Sequence, residues 1–313
     1  MDVQTNIDLG FPTRLFSLGC EPKPKKSINY HSKVDFLEDV EIAVGEEVWN
    51  NIRESPLGVI VRFIDNKFTW SSKVVEYLLL KQLVSRFSLS EFAEITTLNC
   101  ATFPDDCEGF EETKLHKDLW KKMKIKGKMN PCKNDLRKVC KDVATWSSDE
   151  DKTRFAYLSI VSVILGYDDK KRLSSQTARM VFDKPKFENY PWGRMVFKQL
   201  IESMKRLDYT AQSYTIHRFI QALQIWAYTV VPALGAKIGR PSNVNGPPIL
   251  KFKGSKGKSN IDIHTTVNMR ERNLRVLICS SELLCGFAAS FPLKFYFLTY
   301  SFLLSFSSVI YKD

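Results

Sequence analysis

Between residues 148 and 166 the chain writes out a helix with its own start and stop, and this pattern narrows the fold more than any other feature. Ser148 with Asp151 opens it, Phe155, Leu158, Val161, Ile164 and Leu165 form one apolar stripe, and Gly166 ends it. A stripe of this kind must be covered by other elements, because a lone helix of this length is marginal in water. The same grammar recurs along the chain. Leu37, Val40, Val44, Val48 and Ile52 predict one helix over 34–54, stopped by SPLG at 55–58. Ser71 or Ser72 caps a helix through about Val84, and Ser88 with Glu91 makes a capping box ahead of Phe92, Ile95 and Leu98. Pro191 suits the first turn of a helix carrying Phe197, Leu200, Ile201, Met204 and Leu207. Ile216, Phe219, Ile220, Leu223, Trp226, Ala227 and Val230 follow as another, closed by Pro232 and Gly235. Val59 to Phe63 and Lys67 to Trp70, parted by three residues, predict a short strand pair and the one sheet expected. The fold class expected is therefore α+β, mostly helical, with a small β-hairpin or short sheet near residues 58–70 packed by a helical body.

A chain of 313 residues with 44% hydrophobic and 12% aromatic content is able to fill a real core. Composition divides it into a loose N-terminal arm (1–33), a helical domain (34–238), a basic flexible linker (239–268) and an apolar C-terminal tail (269–313). Within the tail, residues 283–311 carry a single charge, Lys294, and are long enough to cross a bilayer. Pro292 and Lys294 fall near its middle, where a lysine costs about 3 kcal/mol. A membrane anchor, translated non-coding sequence (its Phe, Leu, Ser and Tyr codons are thymine-rich) and a buried helix are the three readings of this tail.

Lys and Arg outnumber Asp and Glu by 46 to 35, a net charge of +11 that favours polyanions or acidic membrane faces. Most of that excess lies in 113–141, where eleven Lys or Arg face only Asp118 and Asp135. Lys117, Lys121, Lys122, Lys124, Lys126 and Lys128 are interleaved there with Trp120 and Met123, so one face is able to follow phosphates while the apolar residues hold the core. No recognised nucleic-acid motif accompanies them, and a solvated lysine face is the default reading. Nucleic-acid binding through 113–141 therefore stands as an alternative.

Catalytic signatures are missing from the sequence. Seven cysteines form no CxxC pair, and MDVQTNIDLGF lacks the basic and apolar regions of a signal peptide, which points to free thiols in a reducing compartment. Cys100, Cys107, His116, Cys132 and Cys140 do not have zinc-knuckle spacing, in which paired ligands sit about two to four residues apart. Nothing selects a cysteine to pair with His31, His116, His217 or His264, and His217 reads as a structural histidine. No Walker A loop, dinucleotide fingerprint, GxSxG elbow or HExxH occurs. No catalytic, cofactor-binding or metal residue is assigned. EPKPKK (21–26) is a weak nuclear signal at most, a short basic run that is commonly just a solvated loop.

The motif YPWGRMVF (190–197) sets a rigid Pro191, the indole of Trp192, Gly193 and Arg194 at a helix start. Pro191 fixes the approach of the chain, Gly193 allows close packing, and Trp192 with Phe197 anchors the helix against ALQIWAYTVVPALG (222–235), which holds Trp226 and Tyr228. Arg194 is expected to pair with a carboxylate such as Glu188 or with a partner. Burying an indole contributes about 2–3 kcal/mol, enough to account for the motif without a ligand.

Three blocks in order, SPLGVIVRF (55–63), RFSLSEFAEITTLNC (86–100) and YPWGRMVF with ALQIWAYTVVPALG, resemble the plant domain-of-unknown-function family number nineteen eighty-five across roughly residues 35–240. That resemblance implies a transposon-derived protein of a kind that often precedes a ubiquitin-like-specific (SUMO) protease domain. Family members carry a further segment where Val84 and Ser85 here join Lys81-Gln82-Leu83 to the RFSL block, and they favour glycine where Thr97 stands. A protease of that class needs His, Asp, Cys and an oxyanion-stabilising Gln in a domain of its own, and His264 is the one histidine after the blocks, so a truncated copy without protease activity is expected. The function expected is a non-catalytic interaction domain, nuclear, with an unknown protein partner and nucleic acid as a partner by charge. Membrane residence through the tail is the alternative.

Overall fold

A computed structural model describes residues 27–30, 35–80, 87–104, 113–125, 129–142, 146, 148–208, 211, 213–216 and 218–256. β1 (Ser27–Tyr30) is followed by α1 (Phe36–Val44), α2 (Glu46–Arg53), α3 (Gly58–Asp65), α4 (Ser72–Leu80) and α5 (Leu89–Thr96). Next come α6 (Lys114–Lys122), α7 (Lys133–Cys140), α8 (Asp149–Ile164), α9 (Ser175–Met180), α10 (Lys184–Asn189) and α11 (Trp192–Lys205). β2 (Ser213–Ile216), α12 (Gln221–Val230), α13 (Pro232–Lys237), β3 (Gly239–Pro241) and β4 (Phe252–Ser255) complete the described body. The class is the mostly helical α+β expected.

α8 is the axis of the core. Ser148 accepts from the Asp151 N–H as its cap, and Gly166 closes it at φ +54°. Every residue from Phe155 to Ile164 is buried, so the apolar stripe is only part of a helix covered all round by neighbours including α1, α2 and α7. Its two serines are satisfied within the helix: Ser159 Oγ donates to Phe155 O at 2.9 Å and Ser162 Oγ to Ser159 O at 2.7 Å. α12 is buried in the same way, and Gln224 in its middle accepts from Ser71 N at 2.9 Å and donates to the Tyr228 hydroxyl at 2.9 Å.

The small sheets are not where the sequence puts them. Val59 to Phe63, expected as the first strand of a hairpin, lie instead within α3, with Val59, Ile60, Val61, Phe63 and Ile64 all buried. An unbroken apolar run has no periodicity to separate a buried helix from a buried strand, and the tight SPLG turn, in which Gly58 N donates to Ser55 O at 2.8 Å, launches a helix. The single helix expected over 34–54 is two, because Gly45 adopts φ +85° and ψ 161° between α1 and α2. Inside the expected loose arm, β1 pairs in parallel with β2 from Ser27 against Ser213 to Tyr30 against Ile216, so Ile216 ends a strand and does not begin a helix.

The largest departure lies in 239–256, which composition reads as linker. β3 and β4 pair there as an antiparallel hairpin, and Ile249 and Leu250 between them are fully buried. Asn66 holds this segment to the end of α3: its Nδ2 donates to Leu250 O at 3.0 Å and Phe252 O at 2.9 Å, and its Oδ1 accepts from Ser242 Oγ at 2.7 Å. Thr69 N donates to Lys253 O at 2.9 Å. Residues 257–268 of the expected linker and the whole tail 269–313 lie outside the described residues. No helix among the described residues is long and apolar enough to cross a membrane.

Candidate functional site

The YPWG motif is a corner between α10 and α11. Trp192 is 1% exposed, its Nε1 donates to Phe187 O at 2.8 Å, and its ring lies 5.0 Å from Phe187 and 4.7 Å from Tyr190. Pro191 sits just ahead of the helix at φ −75°. Arg194 does not meet Glu188. Its Nε donates to Cys100 O at 3.0 Å and Ala101 O at 2.5 Å, clamping the extended chain after α5, while Glu188 accepts from the Tyr157 hydroxyl and lies 3.7 Å from Lys184. Phe197 and Trp226 meet through a second aromatic group, in which Phe87 lies 5.7 Å from Phe197 and 5.3 Å from Trp226. Tyr228 stacks on Phe252 at 5.1 Å and takes no part in this corner. Every aromatic of the motif is thus engaged inside the body, as packing requires of rings this large.

The lysine-rich segment divides into spent and unspent charges. Lys122 donates to Asp151 at 2.5 Å and Lys124 to Asp142 at 2.5 Å. Lys126 and Lys128 lie outside the described residues. Lys117 and Lys121 are exposed on the outer side of α6 beside Lys114, which the sequence reading did not single out, and none of the three has an ion pair among the described residues. Asp118 is exposed on the same helix. Trp120, Met123 and His116 hold the inner side: the His116 ring is 4.1 Å from Phe182 and its Nδ1 accepts from Thr113 N at 3.0 Å. Nearby, Lys133 is a buried cation that spacing gave no sign of. Its Nζ donates to Tyr167 O at 2.8 Å, and burial pushes its pKa down to about 8, with Asp169 at 3.9 Å partly opposing.

The described thiols are protonated at neutral pH. Burial pushes Cys100 up to about 11, against the pull of Arg194, and Cys140 up to about 12; Cys132 is raised for the same reason. Among the described residues no three or more His, Cys, Asp or Glu side chains gather as a metal site would require.

Thr97 closes α5 in the left-handed region, at φ +55° and ψ 13°, a conformation that suits glycine and is costly for a β-branched side chain. Its place follows the Ser88–Glu91 capping box, in which Glu91 N donates to Ser88 Oγ at 3.2 Å and Ser88 N to Glu91 Oε2 at 2.8 Å. Residues 67–203 match the family model described as Domain of unknown function (DUF1985). The match is narrower than the 35–240 suggested by the sequence blocks, and it runs from just after α3 to the last turn of α11. No curated protein and no solved structure matches the chain. The DUF1985 segment contains α6, α7, α8 and the YPWG corner, yet it packs against elements outside its span: α1 and α2 cover α8, and α12 covers α4 and α5.

Two clefts open near charged residues of the matched segment, the second lined also by residues beyond it. One, of about 370 Å³, lies between the end of α6 and α7, but its Lys124, Lys138 and Arg172 are each within 4 Å of Asp142 or Asp135. The other, of about 410 Å³, lies between the turn after α8 and the last turns of α11.

Proposed function

We propose that this chain is a non-catalytic interaction domain that binds nucleic acid through the outer face of α6. One observation carries the reading. Lys114, Lys117 and Lys121 are spaced by three and four residues, which aligns them on one helical face, and all three are exposed and free of ion pairs among the described residues. The cations that would compete for attention, Lys122 and Lys124, are already neutralised by Asp151 and Asp142. Protonated thiols, half-buried at Cys100 and Cys140 and buried at Cys132, support the non-catalytic half of the reading. A transposon-derived plant origin, kinship with chains that precede SUMO proteases, and nuclear residence belong to the same proposal and rest on the resemblance of the sequence blocks.

The test is retention of the full chain on duplex DNA over a salt series. Each phosphate neutralised contributes about −0.9 to the slope of log K against log salt, so replacing Lys114, Lys117 and Lys121 together by alanine should flatten that slope by about 3. Alanine at Lys122 and Lys124 should change it less. Absence of salt-sensitive retention, or a slope indifferent to the triple substitution, would overturn the proposal.

A further inference from the structure

The hairpin that closes on α13 carries charge of one sign. Residues 232–256 hold five Lys or Arg (Lys237, Arg240, Lys251, Lys253 and Lys256) and no Asp or Glu. All five are exposed, and none has an ion pair among the described residues. Like charges gathered on one small element repel each other, and an incoming polyanion relieves that repulsion.

Beside those charges lies an apolar groove. Glycine lets the hairpin sit close to α13: a Cβ on Gly235 would stand 2.6 Å from Tyr228 O and 3.2 Å from the Phe252 ring, and one on Gly239 would stand 3.0 Å from that ring. Phe252 stacks on the buried Tyr228 with ring centres 5.1 Å apart, and Asn66 holds its carbonyl at 2.9 Å. The groove left between α12, α13 and the hairpin, about 340 Å³ in volume, is walled by Pro232, Pro241, Pro248 and Phe252 and lined also by Lys251 and Lys256. None of its lining residues is acidic. Lys256 Nζ donates to Ala236 O at 2.8 Å, which occupies one of its three N–H donors and leaves its charge unneutralised.

We propose that this groove docks an acidic, apolar-bearing segment of a partner protein, with an apolar side chain between the prolines and carboxylates on Lys251 and Lys256. Lys237, Arg240 and Lys253 add to the positive field that draws such a segment in. The lining chooses a peptide over a nucleic acid. Proline offers no donor to a base edge, and the Phe252 ring is already engaged by Tyr228 where base stacking would need a free face. The site shares no residue with the α6 face and goes beyond the nucleic-acid reading.

Fluorescence anisotropy of the full chain with a labelled short peptide of glutamate, leucine and tryptophan tests this. Saturable binding is expected. A twin with glutamine for glutamate, and a second with serine for leucine and tryptophan, should each bind about tenfold more weakly. Lys251→Ala and Lys256→Ala, both at exposed positions, should each weaken binding about threefold. Ala236→Glu, exposed at the rim, brings a carboxylate and bulk to the groove and should abolish binding while leaving the melting temperature of the chain unchanged. The alanine triple at Lys114, Lys117 and Lys121 should leave peptide binding unchanged, so this site and the α6 face fail separately. No saturable binding, equal binding of the serine twin, or binding that survives Ala236→Glu would overturn the proposal. So would tighter binding of oligothymidylate that Ala236→Glu abolishes, which would make nucleic acid the occupant, or self-association of the chain that Ala236→Glu abolishes, which would make it a second copy.

Discussion

The backbone N–H of Gly193 donates to the carbonyl of Asn99 at 2.8 Å, and the glycine has no room for a side chain. A Cβ at position 193 would stand 2.5 Å from Cys100 Sγ and 2.9 Å from the carbonyl oxygens of Leu98 and Asn99. This contact, with the Arg194 clamp, fastens the first turn of α11 to the chain leaving α5.

Gly193→Ala should therefore lower stability by about 1–3 kcal/mol, although alanine normally favours a helix by about 1 kcal/mol. Two of the three obstructing atoms are backbone, so the clash cannot be relieved by turning a side chain. Urea denaturation of the variant measures it, and a gain in midpoint would show that the corner has slack.

Trp226 Nε1 donates to Glu91 Oε1 at 2.9 Å while Glu91 Oε2 caps α5 through Ser88 N. One carboxylate thus ties a helix cap to α12. Trp226→Phe should cost about 1–2 kcal/mol, and combined with Glu91→Ala the loss should be less than additive by about 0.5–1 kcal/mol. Strict additivity in a double-mutant cycle would mean that the cap and the indole are independent.

Thr97→Gly should raise stability by about 1 kcal/mol. A left-handed conformation costs a non-glycine residue about 1–2 kcal/mol, and this gain is partly offset by glycine's extra freedom in the unfolded chain. The Thr97 Oγ1 bond to Thr96 O, 2.7 Å long, is lost as well. A lower melting temperature for the glycine variant would place the strain elsewhere.

Lys133 makes stability depend on pH. Its folded pKa, about 8, lies below the ordinary 10.5, so between those values the unfolded chain holds more protons than the folded one. Stability should consequently rise as pH climbs from about 8 towards 10.5, by about 3 kcal/mol at most for this group, and stay at its lower level below 8. Comparing urea midpoints of the native chain and Lys133→Met across that range isolates the effect, since the variant should lack this part of the rise. Parallel profiles would show that the buried ammonium keeps its ordinary affinity for protons.

Much of the fold was legible because its signals are local. The serine caps at 88 and 148, the stop at Gly166, and the stripes of α5, α8, α11 and α12 each depend on residues within a few turns of one another. The α3 segment was misread because five apolar residues in near succession fit a buried helix and a buried strand equally well. The candidate face was visible as an excess of lysine, but not as a set of available charges. That sorting needed Asp142 and Asp151, which come into reach of Lys124 and Lys122 only when α6 has docked.

By itself the sequence settled that this chain builds a mostly helical body, where several of its helices begin and end, and that the YPWG motif would be buried, since side-chain period and capping chemistry act over short distances. Tertiary structure decided the rest: a parallel pair made from the two distant strands β1 and β2, a hairpin drawn from apparent linker by Asn66, and Arg218 hydrogen-bonded to Gly166. Each of these joins groups far apart in the chain, and their pairing has no periodic trace because it is favourable only after the core has brought them together.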